Sequence, residues 1–459
     1  MSDSAQLAVW DQEHYWHAFT QMAEYVPLVI ARAEGVWLYD TDGNRYLDGI
    51  SSMWCNLFGH RNPQVDAAIR DQLEQVAHAT SLGLATPPAI ELAKRLAELA
   101  PGDLDHVFFG SDGSSAIEAA IKIAFQYWRQ CAKPQPQKTK YIALGEAYHG
   151  DTIGSASVGG IDRFNAAFQP LLFDVIRLRT PNAQTMPPHT GAEYYLAELE
   201  ETLAREHESV AAMVIEPCLQ AAAGMIFHPP GYLRGVRNLT RKYNVLLIAD
   251  EIVTGCGRTG PLFACGSENV VPDLLCLGKS LTGGYLPLSA TIATPEVYGA
   301  FLGSAISARA FRHGHTYAGN PLGAAAALAT LELLTSSEVQ QNLSAKVDQL
   351  TAMLAGLRSQ PHVAATRQMG MIAALELTPN DDLNQRYPTE MRIAYQICRA
   401  ALQRGLWLRP LGDTLVIMPP LSITSQELVF YFDALSAAIA EVTANPLPAE
   451  AVESLAGDD

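Results

Sequence analysis

The chain is short of basic charge: 31 Lys and Arg stand against 48 Asp and Glu, a net charge of −17. That balance argues against nucleic acid and acidic membrane surfaces as main partners. No apolar run approaches the length of a membrane span, so no membrane partner is expected. The N-terminal MSDSAQLAVWDQEHYWHAF lacks the basic-then-apolar pattern of a secretion signal, which predicts a cytoplasmic protein. The seven cysteines, at 55, 131, 218, 256, 265, 276 and 398, form no CxxC, and Cys398 alone looks exposed. Neither a zinc site nor a disulfide framework is indicated.

What is present suits a compact enzyme. The 459 residues are 48% hydrophobic and 17% charged, enough for a large core in one to three domains. Residues 1–22 are rich in aromatics, among them Trp10, Tyr15, Trp16 and Phe19. Such a segment packs on the body or reaches across a subunit interface, and simple anchoring is the expectation for Trp10. Val36–Asp48 reads as two strands around Asp42-Gly43, a hairpin signal. Gly49–Pro63 is too irregular for a regular element and holds Trp54. Residues 64–78 and 88–100 read as amphipathic helices.

Over 65–330 strands and helices alternate. Short apolar runs at Val107–Gly110, Tyr141–Leu144, Val210–Ile215, 245–250, Leu274–Leu277 and Ala290–Thr294 read as buried strands. Positions 117, 121, 124, 125 and 128 give 115–130 a helical face, and 322–334 is an alanine-rich helix. This alternation predicts an α/β fold whose large domain, 66–335, holds a mostly parallel sheet. From 336 to 445 helices at 338–358, 390–404 and 425–442 and strands at Met371–Leu377, Leu406–Pro410 and Leu415–Met418 predict a smaller α+β domain. Residues 1–65 are expected to contribute to it. The acidic end, 446–459, is expected to be a disordered tail.

Chemistry-bearing residues fall at the strand exits. Lys279 follows Leu274–Leu277, and the apolar run VLLIADE ends in Asp250 and Glu251. A lysine there is an ion-pair partner, a solvated turn residue, or an amine for carbonyl chemistry. A buried Asp and a Lys at two strand ends, where open α/β sheets bind ligands, fit pyridoxal phosphate. That cofactor needs an amine for its aldehyde and a carboxylate for its ring nitrogen. Ser111-Asp112-Gly113-Ser114-Ser115 opens a helix, which suits an anion and equally a plain N-cap. Tyr148 is an aromatic at a strand exit, placed to stack on a flat ring. His313 and His315 lack a third ligand, so no metal is expected.

Four segments carry a resemblance: GEAYHGDTIG (145–154), IADEIVTGCGRTG (248–260), LCLGKSLTGGYLP (275–287) and HGHTYAGNP (313–321). Over about 14–440 the chain resembles the class III (ω-) aminotransferases of pyridoxal-phosphate fold type I. HYWHAFTQM, DGISSMWCNLFGH, AFQYW and RPLGD are similar to one branch, the 7,8-diaminononanoate synthases of biotin synthesis. The resemblance implies a catalytic set of Lys279, Asp250 and Tyr148. Lys279 would hold the cofactor's aldehyde, and Asp250 its ring nitrogen. Tyr148 and Val253 would cover the two ring faces, and Gly113 and Ser114 would hold the phosphate. His315 and Thr316 would serve the phosphate of the partner subunit, which makes a homodimer with composite active sites. Arg409 would receive a substrate carboxylate, with Trp54, Phe19, Tyr148 and Gly314 lining the same pocket.

The implied reaction joins a small-molecule amino donor to a keto acceptor, 8-amino-7-oxononanoate. Many members of the branch have a tyrosine where Phe19 stands and a tryptophan where Met53 stands. Those departures bear on the donor, S-adenosylmethionine or lysine. The competing readings are an ω-amino-acid or amine:pyruvate aminotransferase and, from another class, a non-catalytic pyridoxal-phosphate-binding homologue.

Overall fold

Seven strands line up in the order His106–Gly110, Ser289–Ala293, Leu274–Leu277, Leu246–Asp250, Val210–Ile215, Lys140–Leu144 and Ile176–Leu178. The computed structural model describes residues 4–383 and 385–447. Six of the seven strands run one way, and Ser289–Ala293 runs antiparallel to both its neighbours. Val210–Ile215, Leu246–Asp250 and Leu274–Leu277 are buried along their whole length, as strands covered on both faces must be. The helix Gly113–Gln130 supplies part of that cover through Ile117, Ile121, Ala124 and Trp128. Phe125, counted on the apolar face from its spacing, is exposed instead, stacked under the Arg129 guanidinium.

The chain divides into two compact units: residues 64–336, and residues up to 63 together with those from 337 on. In the second unit, Ile30–Glu34, Trp37–Asp40, Arg45–Asp48 and Leu406–Trp407 form one sheet. Val363–Met369, Ile372–Leu377, Thr414–Ile417 and Pro410–Leu411 form another. Arg409 lies in the two-residue link that carries the chain from the first sheet to the second. The acidic end lies outside the described residues from 448 on.

Several expectations need correction. The first predicted helix stops at Leu73 rather than 78. Gly49–Pro63 contains a turn, Ser51–Trp54, in which all four residues have positive φ, from 47° to 70°. Left-handed backbone costs roughly 1–2 kcal/mol per non-glycine residue. Asp48 holds it by accepting the Ser52 N–H and Oγ–H at 2.8 and 2.7 Å, and Ser51 Oγ donates to Met418 O at 2.7 Å. Trp10 is 45% exposed, on a helix, Ser4–His14, none of whose residues is fully buried. Cys398 is buried, facing inward from the helix Ile393–Leu402. Among the described residues no single helix is long and apolar enough to cross a membrane, and no group of three His, Cys, Asp or Glu is placed to hold a metal.

Candidate active site

Parallel strands put their C-terminal ends on one edge of the sheet, and the predicted residues converge there. Gly113, Ser114, Tyr148, Asp250, Val253 and Lys279 all line one cavity of about 150 Å³. Lys279 is half-buried and opens a tight turn, Lys279–Thr282, with φ of 37°. A non-glycine residue in that region stores backbone strain, a common feature of functional positions.

Asp250 ends its strand with 4% of its surface exposed. Its Oδ1 accepts the Ile252 N–H at 3.1 Å, and its Oδ2 accepts from His149 Nδ1 at 2.6 Å. The other ring nitrogen of His149, Nε2, is buried and has no hydrogen-bond partner among the described residues. Tyr148 Oη donates to Asp151 Oδ2 at 2.7 Å, and its ring meets Phe164 edge-on. Burial first, and the Asp151 carboxylate second, push its phenol far above the ordinary value, so Tyr148 stays neutral and donates its Oη–H.

The helix Gly113–Gln130 begins with a capping box in which Asp112 accepts the Ser115 N–H at 2.9 Å. Its first turn still presents free N–H groups and the positive end of the helix dipole. Glycine is required close by. A Cβ on Gly150, whose φ is +120°, would lie 2.1 Å from Ser114 Oγ, and one on Gly113 would lie 3.0 Å from Ile252. Ser114 Oγ accepts the Asp151 N–H at 3.2 Å, which ties the helix start to the loop bearing Tyr148.

These residues fit pyridoxal phosphate: an amine for the aldehyde, an anchored carboxylate for the ring nitrogen, two side chains for the ring faces and a helix start for the phosphate. The other predicted residues do not line this cavity. His315 Nδ1 lies 3.4 Å from Ser111 Oγ, beside the helix start, while Gly314 and Thr316 are exposed. Arg409 belongs to the other unit, where its Nη2 donates to Phe19 O at 3.5 Å. There it lines a cavity of about 670 Å³ with Val26, Leu28, Ile30, Leu402 and Leu408. Trp54 is buried in the left-handed turn, and the Phe19 side chain is exposed.

Three buried groups around the site escaped the sequence reading. His149 stands next to Tyr148 in GEAYHGDTIG and reaches Asp250. Arg258, fully buried, points its Nε at Ser280 Oγ at 3.4 Å, next to Lys279. Glu251 accepts the Ala264 and Cys265 N–H groups at 2.6 and 2.8 Å. Glu251 shares with Asp250 the end of an apolar run; for His149 and Arg258 the one signal is their presence inside the quoted segments.

A sheet of this order with a lysine and a carboxylate at its C-terminal edge defines a pyridoxal-phosphate enzyme of fold type I. The aminotransferase class-III family model matches residues 19–439, and the chain belongs to that family of pyridoxal-phosphate-dependent aminotransferases. It is 45% identical to the adenosylmethionine-8-amino-7-oxononanoate aminotransferase of Geobacter sulfurreducens over 96% of this chain and 99% of that one. The crystal structure of the enzyme of that name from Methanocaldococcus jannaschii superposes with a TM-score of 0.90 at 40% identity, covering 96% and 99% of the two chains. A thermostable (S)-enantioselective omega-transaminase from Thermomicrobium roseum also superposes at 0.90, with 36% identity and the same coverage. Family membership sets aside the non-catalytic reading, with Lys279 and Asp250 both in place.

Proposed function

We propose that this enzyme transfers an amino group to 8-amino-7-oxononanoate, forming 7,8-diaminononanoate for biotin synthesis, with S-adenosylmethionine or lysine as donor. The observation that carries the reading is 45% identity, along nearly the whole of both chains, to a relative named for that acceptor. The cavity beside Arg409 supports it, because a guanidinium among aliphatic side chains suits a carboxylate on a methylene chain. The bound cofactor supplies an electron sink for the bond broken at the amine-bearing carbon. Lys279 Nζ moves the proton at that carbon, first as base and then as acid. Asp250, held by His149 and the Ile252 N–H, keeps the proton on the ring nitrogen. Tyr148 and Val253 hold the ring, and Gly113 and Ser114 the phosphate. Arg409 takes the acceptor's carboxylate, with Phe19, whose carbonyl it holds, beside it in the same unit.

The enzyme is a cytoplasmic homodimer in this reading, and Thr316, exposed beside His315, serves the neighbour's phosphate. Mixed dimers of Lys279→Ala and Thr316→Ala subunits test that: one site carries both lesions and the other neither, so activity returns on subunit exchange. The second reading, an amine:pyruvate aminotransferase, is favoured by the close superposition on the omega-transaminase. The deciding experiment is formation of 7,8-diaminononanoate with S-adenosylmethionine or lysine. If neither donor supports it while pyruvate accepts nitrogen from simple amines, the biotin reading is wrong.

A further inference from the structure

A buried carboxylate with no part in the reaction above stands at the wall of the cofactor cavity. Glu216 follows the strand Val210–Ile215, is 4% exposed, and lines the same cavity as Asp250 and Lys279. Its Oε1 accepts the Tyr148 N–H at 3.1 Å, and its Oε2 accepts the Ala221 N–H at 2.9 Å. Tyr148 is therefore held at both ends: its main chain by Glu216, its phenol by Asp151. The next residue along, His149, reaches Asp250. One carboxylate thus fixes the backbone from which both the ring-stacking tyrosine and the histidine on Asp250 project.

Its charge is finely placed. Two N–H groups aimed at its two oxygens suit the ionised form. Burial opposes that form most, His149 favours it and Asp250 opposes it, and the balance pushes the carboxyl up to about 7. The titratable groups that share its cavity are Tyr148 and His149 from the loop after Leu144, Asp112 from the helix start, Asp250 from the end of Leu246–Asp250, and Lys279 from the neighbouring turn; of these His149 and Asp250 act on its charge directly.

We propose that Glu216 is a positioning residue of the cofactor site: it clamps Tyr148 through its main chain, and its charge beside His149 and Asp250 sets the pH at which the bound cofactor titrates. The inference rests on the pyridoxal-phosphate aminotransferase assignment and on neither the donor nor the acceptor.

Two variants test it on the holoenzyme without substrate. E216Q removes the charge at nearly constant size. The visible absorbance of its bound cofactor should titrate roughly one pH unit below wild type, because losing a negative charge disfavours the protonated form. E216D keeps the charge and shortens the reach to the Tyr148 N–H. Its absorbance midpoint should match wild type, while the circular dichroism induced in the cofactor falls as the tyrosine loosens. An unmoved midpoint in E216Q, or undiminished dichroism in E216D, overturns the proposal. If E216Q does not accumulate folded, the E216D arm decides alone. A wrong acceptor or donor changes none of these readings, whereas a wild-type protein that takes up no pyridoxal phosphate overturns this inference and the enzyme assignment together.

Discussion

His149 Nδ1 lies 2.6 Å from Asp250 Oδ2, with both side chains closed to solvent. A buried carboxylate is tolerated where its oxygens are satisfied, and this bond and the Ile252 N–H satisfy the two oxygens of Asp250. Removing the histidine leaves Asp250 under-satisfied. His149→Ala should therefore lower the unfolding free energy by about 1–3 kcal/mol, read from urea denaturation of the apoenzyme. Unchanged stability would show that the contact contributes nothing net. Asp250→Asn, which keeps the shape, should lower kcat by about two to three orders of magnitude with little change in KM. A rise in KM alone would remove Asp250 from the chemical step.

Lys279→Ala should fold and retain pyridoxal phosphate but lose turnover by several orders of magnitude, since nucleophile and proton carrier vanish together. Single-turnover absorbance changes on mixing with donor check this. Ordinary turnover would take Lys279 out of the mechanism.

Arg409→Ala should weaken use of 8-amino-7-oxononanoate by about ten- to a hundredfold in kcat/KM, the worth of one charge-assisted contact. A carboxylate-free amine should be used as before. Equal losses for both substrates would mean that Arg409 acts through the fold, where it already holds the Phe19 carbonyl.

Lys138 lies far from this chemistry in role. Its fully buried ammonium donates to the carbonyls of His207, Val210 and Asn244, joining three segments beside the sheet. Lys138→Met leaves three acceptors without their donor. A loss of about 2–4 kcal/mol in stability is expected, with kcat at permissive temperature unchanged. A neutral result by chemical denaturation would show that water replaces the ammonium at little cost.

Glu251 predicts a pH dependence. Burial, opposed by the Ala264 and Cys265 N–H groups, lifts its carboxyl from 4.5 to about 7. Between those values the native state holds a proton that the unfolded chain has released. Stability is therefore lost as pH rises through that window and levels off above about 7, a loss of order 1–3 kcal/mol. E251Q should flatten that part of the curve of Tm against pH, whatever its absolute Tm. An unaltered slope would assign the dependence to other groups.

The strands Val210–Ile215 and Leu274–Leu277 are visible in the sequence because both faces of a covered sheet are buried, so every residue in them is apolar. The Asp42-Gly43 hairpin and the helix after Gly113 are equally local, written in a turn pair and a helical period. Lys279, Asp250 and Tyr148 stand out for the same reason: each is a polar or aromatic residue at the end of an apolar run. Tertiary structure alone decided the rest. The left-handed turn Ser51–Trp54 exists because Asp48 and the carbonyl of Met418, 367 residues beyond Ser51, hold it. Ile30–Glu34, largely exposed and without a buried face, becomes a strand only by pairing with Trp37–Asp40. Glu216 also follows an apolar run, yet nothing local marks its part in the site, or that of His149 and Arg258. Their standing comes from burial against partners remote in the chain, a long-range property that no local pattern encodes.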